Sequence, residues 1–319
     1  MEKPAVKQIN ISPLFRKCGL NTPDYVIHES PDMYPFKNKL DDNWAYYTIA
    51  AFLRLGSILQ SVVNLAIIGI GSGVEGIAAL KIFQSSIKNL VVTDIDKDIV
   101  YGAAGNIEPV GVNIIPLVGS FAEPLAVLPF KQDFIYGNIP NLPSGENQKL
   151  ESGEDRGTFV ASAAYDKYHV PKKYEQWALA SQYAYLQSAK QVLGKQGSVF
   201  TELGGRIPLC LVSELFADCG LKISEVLVGF KEQTEALIDF EGYHKLEKNY
   251  GISFDFYLYK ESLALMEKRS IVNSTFAVSG EQLKLLLKPL RVNAGQALEL
   301  YRSGIAVGHT VHIFRGQHL

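Results

Sequence analysis

Gly69, Gly71 and Gly73 stand in the stretch NLAIIGIGSGVEG, directly after an apolar run. About twenty residues on, Asp94 closes a second apolar run in VVTDID. Glycines at the end of a strand let the backbone turn sharply and approach a ligand without interference from a Cβ. The helix that follows such a turn directs its unpaired N–H groups and positive dipole end at that ligand. An acid at the end of the next strand can accept hydrogen bonds from two ribose hydroxyls. Gly71, Gly73 and Gly76 also satisfy the Gly-x-Gly-x-x-Gly spacing of dinucleotide sites, so this turn alone leaves the nucleotide open.

These residues need strands to carry them. Ala66–Ile70 is a continuous apolar run and reads as a strand buried on both faces. Val74–Phe83 then reads as a helix, Leu90–Thr93 as a strand and Lys97–Asn106 as a helix. Asn113–Val118, Asp133–Tyr136 and Ser198–Thr201 supply three more strands, and Lys173–Leu193 one long helix between the last two. Repeated strand–helix units predict an α/β fold with a doubly wound, mostly parallel sheet. Ile223–Phe230 and Ile252–Tyr259 read as late strands forming a hairpin at a sheet edge.

Three regions are expected. Residues 1–62 form a helical segment, with Asp41 or Asp42 as a cap and apolar positions recurring from Trp44 to Val62. Residues 63–260 form the nucleotide-binding domain, and residues 261–319 an extension packed on it. Leu142–Gly157, LPSGENQKLESGEDRG, is polar and glycine-rich and reads as a mobile surface segment.

Composition narrows the partners. The chain has 319 residues, of which 47% are hydrophobic, and a net charge of −2, so it offers no basic footprint for nucleic acid. No apolar run approaches the roughly 18 residues of a membrane span. Three cysteines without metal spacing fit a reduced, cytoplasmic protein. His309 and His312 lie three apart and would face opposite sides of a strand, which makes them a poor metal pair. The expected partner is a small, amino-acid-sized substrate, with a homo-oligomer as one option for quaternary structure; no metal and no membrane are expected.

The remaining motifs resemble class I S-adenosylmethionine (SAM) methyltransferases, with their Rossmann-like fold. DKDIVYGAAGN, ending at Asn106, is similar to their second helix. DFIYGNIPNLP resembles the Asn-Pro-Pro-Tyr strand end of methyltransferases that modify nitrogen, and its Ile-Pro centre resembles the variant in methionine S-methyltransferases. KLDDNWAYYTIAAFL, GSVFTELGGRIP and YRSGIAVGHTVHIFRGQHL resemble further segments of that family, in order. The match is to a free-standing methyltransferase module. The resemblance implies SAM held by Gly69, Gly71, Gly73, Asp94, Ile95, Ser120, Phe121 and Asn138. Ile67 and Ser120 stand where the family often carries acids, and Asn141 where the nitrogen methylators have an aromatic ring.

The chemistry implied is in-line methyl transfer, in which alignment can supply on the order of 7–11 kcal/mol. A thioether acceptor has no proton to lose and needs no general base; an amine acceptor must be neutral. Asn138, Tyr183 and Glu202 are the expected catalytic groups. Trp44, Tyr47, Asn141, Tyr168 and Arg206 are the expected substrate contacts: aromatic faces for a sulfonium, about 1–2 kcal/mol each when desolvated. Arg206 would hold a carboxylate and Glu202 an ammonium. Tyr46, Tyr165, Tyr174, Trp177 and Tyr185 are further candidates for an aromatic lid. The reading favoured is S-methylation of L-methionine. N-methylation of another amino acid or small amine is the alternative, and SAM binding without turnover a lesser one.

Overall fold

The computed structural model describes residues 6–57, 59, 62–83, 86–107, 111–145, 148–273 and 277–319. Five parallel strands form its centre: β1 (Asn64–Ile68), β2 (Asn89–Asp94), β3 (Asn113–Val118), β4 (Gln132–Gly137) and β5 (Leu193–Gly204). They lie in the order 3-2-1-4-5. The chain therefore winds one way from β1 to β3 and the other way from β4 to β5. The crevice between the ends of β1 and β4 is the topological switch point, where such sheets take their ligands.

The apolar runs explain the layers. Leu65 and Ile67 of β1 face one core together with Leu90, Val92, Phe134 and Phe200. Ala66 and Ile68 face the other, with Val91, Ile135 and Val199. The first core is covered by α1 (Trp44–Gly56) and α2 (Val74–Phe83), and α3 (Lys97–Asn106) adds Ile99 and Ala103 to it. Phe134 and Phe200 stack with centroids 4.2 Å apart, and Phe52 of α1 meets Phe134 edge-on at 5.4 Å. The second core is covered by α4 (Ala180–Val192) and α5 (Leu209–Asp218).

The C-terminal third departs from expectation. β6 (Leu221–Glu232) does not form a hairpin with the strand that follows. It pairs antiparallel with β9 (Val307–His318), the last strand of the chain, from Leu221↔His318 to Glu232↔Gly308. β9 lies between β5 and β6 and also pairs antiparallel with β5. The expected extension thus supplies an interior strand as well as the covering helices Gly280–Leu287 and Ala294–Arg302. The predicted strand at Ile252–Tyr259 shrinks to β7 (Phe256–Leu258), which pairs with β9 and with β8 (Arg291–Val292). A long alternating strand late in the chain finds more hydrogen-bonding length beside β9 than a short neighbour offers.

Two helices also differ. The expected Lys173–Leu193 helix is broken into Lys172–Gln176 and α4, because Ala178 adopts a left-handed φ of 54°. The break turns Tyr174 into the core and sets Trp177 edge-on to Phe254 at 5.4 Å. α1 starts at Trp44 with Asn43 as cap, not Asp41 or Asp42. The Asn43 carboxamide instead closes the preceding turn, accepting from Lys37 N at 2.8 Å and donating to Lys37 O at 2.9 Å. Among the described residues no helix is long and apolar enough to cross a membrane.

Gly137 ends β4 directly ahead of Asn138, with the Tyr185 ring beneath it. A Cβ there would lie 2.8 Å from Tyr185 Cζ, and the ring is anchored by its hydroxyl donating to Phe200 O at 2.8 Å. Gly137→Ala is expected to destabilise the fold by about 1–3 kcal/mol through overpacking, read as a lower midpoint in urea unfolding.

Candidate active site

A cavity of about 500 Å³ opens at the switch point, large enough for a cofactor and part of a substrate. Its first half is the glycine turn. Gly69 and Gly71 have φ of 68° and 55°, which bend the chain from β1 into α2. Asn106, at the end of α3, pins that bend from below: its amide nitrogen donates to Ser72 O at 3.0 Å and to His28 O at 2.8 Å. Asp94, Ile95, Ser120 and Phe121 line the same half. Burial raises the Asp94 carboxyl, opposed by backbone N–H donors that include Asp96 N at 3.2 Å. Gly69, Gly71, Asp94, Ile95 and Phe121 thus share one wall of the cavity, a turn, an acid and two apolar side chains that could hold a nucleoside.

Gly73 is different. It has φ of 93° and an added Cβ would lie 3.1 Å from Ala103 O. It brings α2 against α3 and does not line the cavity.

The second half is built on the ends of β4 and β5. Asn138 projects from β4, and its carboxamide makes no hydrogen bond among the described residues. The next residues are held rigidly by α4. Ser181 donates to Pro140 O at 2.6 Å, while Gln182 donates to Ile139 O at 3.1 Å and Asn141 Oδ1 at 3.0 Å. Thr201 of β5 donates to Gln182 Oε1 at 2.7 Å, which fixes the Gln182 amide and hence that of Asn141.

Glu202 and Arg206 sit opposite this loop and are 1% and 4% exposed. One Glu202 oxygen, Oε2, accepts from Tyr136 at 2.5 Å and Thr48 at 2.7 Å. Neither of those residues lines the cavity; the other oxygen, Oε1, is buried without a partner. Arg206 donates through Nη2 to Gln233 Oε1 at 2.5 Å and lies 3.3 Å from Asp239 Oδ2. Its Nη1 donates to the Tyr243 hydroxyl at 3.4 Å, and its Nε is buried without an acceptor. The site therefore holds one orphaned acceptor and one orphaned donor, each costing about 1–3 kcal/mol while unpaired.

Behind them is a ring of charge the sequence did not reveal. Glu235, Asp239 and Tyr243 line the cavity from the helix α6 (Ala236–Tyr250) and its cap. They recur every fourth residue and share one face, which is the signal that would have found them. Burial alone would raise Glu235, but the Lys231 ammonium, Thr234 and Tyr34 bring it down to about 2. Asp239 is pushed up to about 6 by burial, against the pull of Arg206. Lys231 is itself buried, which lowers its pKa, and its Nζ lies 4.8 Å over the Trp44 ring.

The polar Leu142–Gly157 segment walls the cavity. It contributes Leu142–Pro143, paired with Phe159–Val160, and the start of the short helix Gly153–Thr158. Arg156 bridges to Asp96 at 2.8 Å and Asp32 at 3.1 Å, and Lys37 joins Glu154 to Glu235. Tyr34, whose hydroxyl donates to Glu235, packs against Gly157.

Of the predicted contacts, Trp44, Asn138, Asn141, Glu202 and Arg206 come together here; three tyrosines do not. Tyr47 is fully buried under the sheet and donates to Phe230 O at 2.9 Å, because α1 turns only Trp44 and Ala45 to the cavity. Tyr183 stacks on Tyr174 at 5.5 Å, on the outer side of α4. Tyr168 meets Phe121 edge-on at 6.0 Å and donates to Glu123, so it supports the Phe121 wall from behind. Tyr46, Tyr165, Tyr174, Trp177 and Tyr185 also lie off the lining. His309 and His312 are both buried. His309 lies 3.0 Å from Arg206 Nη2, and burial with two nearby cations keeps it neutral; His312 pairs with Glu225 at 2.8 Å. Among the described residues no group of His, Cys, Asp or Glu is placed to hold a metal.

No protein-family model matches the chain, and no curated protein matches it. Solved structures do. It is similar to a cyclopropane synthase, MmaA2, from Mycobacterium tuberculosis, at 11% identity over 89% of this chain and 88% of that one, TM-score 0.41. It is also similar to the YcgJ protein from Bacillus subtilis, at 12% identity over 86% and 99%, TM-score 0.40. A third is the ribosomal protein L11 methylase from Lactobacillus delbrueckii subsp. bulgaricus, at 17% identity over 60% and 74%, TM-score 0.38. The sheet order, with one antiparallel strand beside five parallel ones, makes this a Rossmann-like α/β fold.

Burial raises the Glu202 carboxyl from the ordinary 4.5 to about 8. A carboxyl raised in the folded state keeps a proton that the unfolded chain has lost, so its contribution to stability falls as pH rises between those two values. The ligand-free protein is therefore expected to lose stability between about pH 5 and pH 8, and Glu202→Gln to flatten that slope. Thermal melts across the range read it out.

Proposed function

We propose that this protein is a SAM-dependent methyltransferase acting on a small molecule, and that its acceptor is the thioether sulfur of L-methionine, giving S-methylmethionine. SAM would supply an electrophilic methyl group on a sulfonium. Gly69 and Gly71 would admit it to the glycine turn, Asp94 would take its ribose hydroxyls, and Ile95 and Phe121 its base. Asn138, with the Ile139 and Pro140 carbonyls fixed by α4, would face the reacting centre.

The observation that carries the acceptor reading is the pair of buried, unpartnered polar atoms, Glu202 Oε1 and Arg206 Nε. A free α-amino acid offers one ammonium and one carboxylate, and satisfies both at once. Glu202 would hold the ammonium and Arg206 the carboxylate, leaving the side chain to run toward Asn138. A thioether needs no proton removed, so Glu202 serves as an anchor.

A second reading rests on the same carboxyl. Raised to about 8, Glu202 is also suited to take a proton from an amine acceptor. Incubation with SAM and a panel of amino acids and small amines separates the two by product mass and charge. Methionine is expected to yield a sulfonium whose charge persists at high pH. Methylation of an amine instead would favour the second reading, and no product from any amino acid or amine would contradict both.

Arg206→Lys is expected to lower kcat/KM for the amino acid at least about tenfold, since a lysine cannot reproduce the planar fork. Trp44→Ala is expected to raise KM for the acceptor with little change in melting temperature; equal loss in both would mean that Trp44 only packs on Lys231.

A further inference from the structure

The C-terminal extension reaches the acceptor half of the cavity through residues that have no task in the scheme above. Gly205, Arg206 and Ile207 form the turn after β5, and later parts of the chain hold its backbone. Gly205 N donates to Thr310 O at 2.6 Å, and Asp255 N donates to Arg206 O at 2.7 Å. The Lys284 ammonium donates to Gly205 O at 2.9 Å and to Ile207 O at 2.6 Å, and pairs with Asp255 at 2.9 Å. With the main chain held on both sides of Arg206, the direction of its side chain is decided by what the guanidinium meets.

That guanidinium folds back past the end of β5. A Cβ at Gly204 would fall 2.1 Å from Arg206 Nη1, so this close return needs a glycine there. Nη1 and Nη2 both have acceptors, and only Nε lacks one among the described residues. Gln233 and Asp239 hold Nη2 from the segment leading into α6. His309 Nε2, 3.0 Å away, ties the same nitrogen to β9.

The His309 ring is fully buried, and its partners allow one arrangement. Nδ1 lies 2.8 Å from Thr310 O, which can only accept, so Nδ1 carries the proton. Nε2 then presents a lone pair, and Arg206, which can only donate, supplies the hydrogen. The Thr310 carbonyl that fixes this tautomer is the one that accepts from Gly205 N, so a single oxygen sets both the turn and the ring. The ring also packs against Trp44, with centroids 5.6 Å apart.

We infer that His309 is a positioning residue for the acceptor's carboxylate: by accepting from Nη2 it holds the Arg206 guanidinium in the rotation that leaves Nε for the ligand. The inference rests on the carboxylate reading of Arg206 above. It gives β9 a part in the site besides its place in the sheet.

The test compares two acceptors in the full chain, methionine and decarboxylated methionine, the thioether amine that lacks the carboxylate. His309→Leu is expected to raise KM for methionine at least about tenfold, with kcat within about twofold of the wild type. The constants for the decarboxylated acceptor, and the affinity for S-adenosylhomocysteine, are expected to change by less than about twofold. His309→Gln, whose side-chain oxygen can accept near the Nε2 position, is expected to recover most of the loss. Equal losses with both acceptors, the result of a general packing defect, would overturn the inference, and so would unchanged methionine kinetics in His309→Leu. Nitrogen-15 NMR of the wild-type imidazole needs no variant to fold: a proton on Nδ1 and none on Nε2 is expected, and a proton on Nε2 would overturn the inference as well. A wild type that uses both acceptors equally well, or neither, would remove the carboxylate reading of Arg206, and the inference would fall with that reading.

Discussion

An unpaired charge buried at the rim of a sheet is among the most costly features a fold can carry. This protein gathers buried or incompletely partnered charged groups at the carboxyl ends of β1, β5 and β6. Glu202 and Glu75 are raised well above ordinary carboxyls, Lys231 is buried under Trp44, and Arg206 keeps an unsatisfied Nε. A sheet needs none of this to fold. The rest of the structure is arranged to tolerate it: Tyr136 and Thr48 donate to Glu202 from behind, and Asp239, Gln233 and Tyr243 surround Arg206. What such a site lacks is a ligand with matching charge.

Rigidity follows from the same arrangement. Asn106 holds the glycine turn, and Thr201 and Gln182 hold the loop that carries Asn138 and Asn141. Buried amides, Asn106 and Gln182, thus help hold both halves of the cavity. The short helix Gly153–Thr158 is tied differently, with Arg156 paired to Asp32 and Asp96 and Glu154 to Lys37.

Much of this was legible in the residues themselves. The Ala66–Ile70 and Leu90–Thr93 runs read as buried strands and form the centre of the sheet, and Gly69, Gly71 and Asp94 line one cavity. Glu202 and Arg206 were legible as a charged pair beside a glycine turn. Aromatic density misled, because Tyr47 and Tyr183 lie on helices whose facing depends on tertiary packing. Glu235 and Asp239 were missed because α6 reaches the cavity from a part of the chain distant in sequence, and only the four-residue spacing marks it. The late strands were assigned the wrong partner because β9, which closes the sheet, follows some fifty residues after the segment expected to pair with β6. Strand pairing at that separation is decided by how much edge each strand offers, which local pattern does not record.

The central claim is that one cavity holds a sulfonium nucleoside on the glycine turn and an amino acid between Glu202 and Arg206. A crystal structure with S-adenosylhomocysteine and methionine tests it most directly. The account predicts the methionine ammonium within hydrogen-bonding distance of Glu202 Oε1, its carboxylate on Arg206 Nε, and its sulfur facing the nucleoside's sulfur. Methionine absent from the cavity, or seated with its carboxylate toward Glu202, would contradict it.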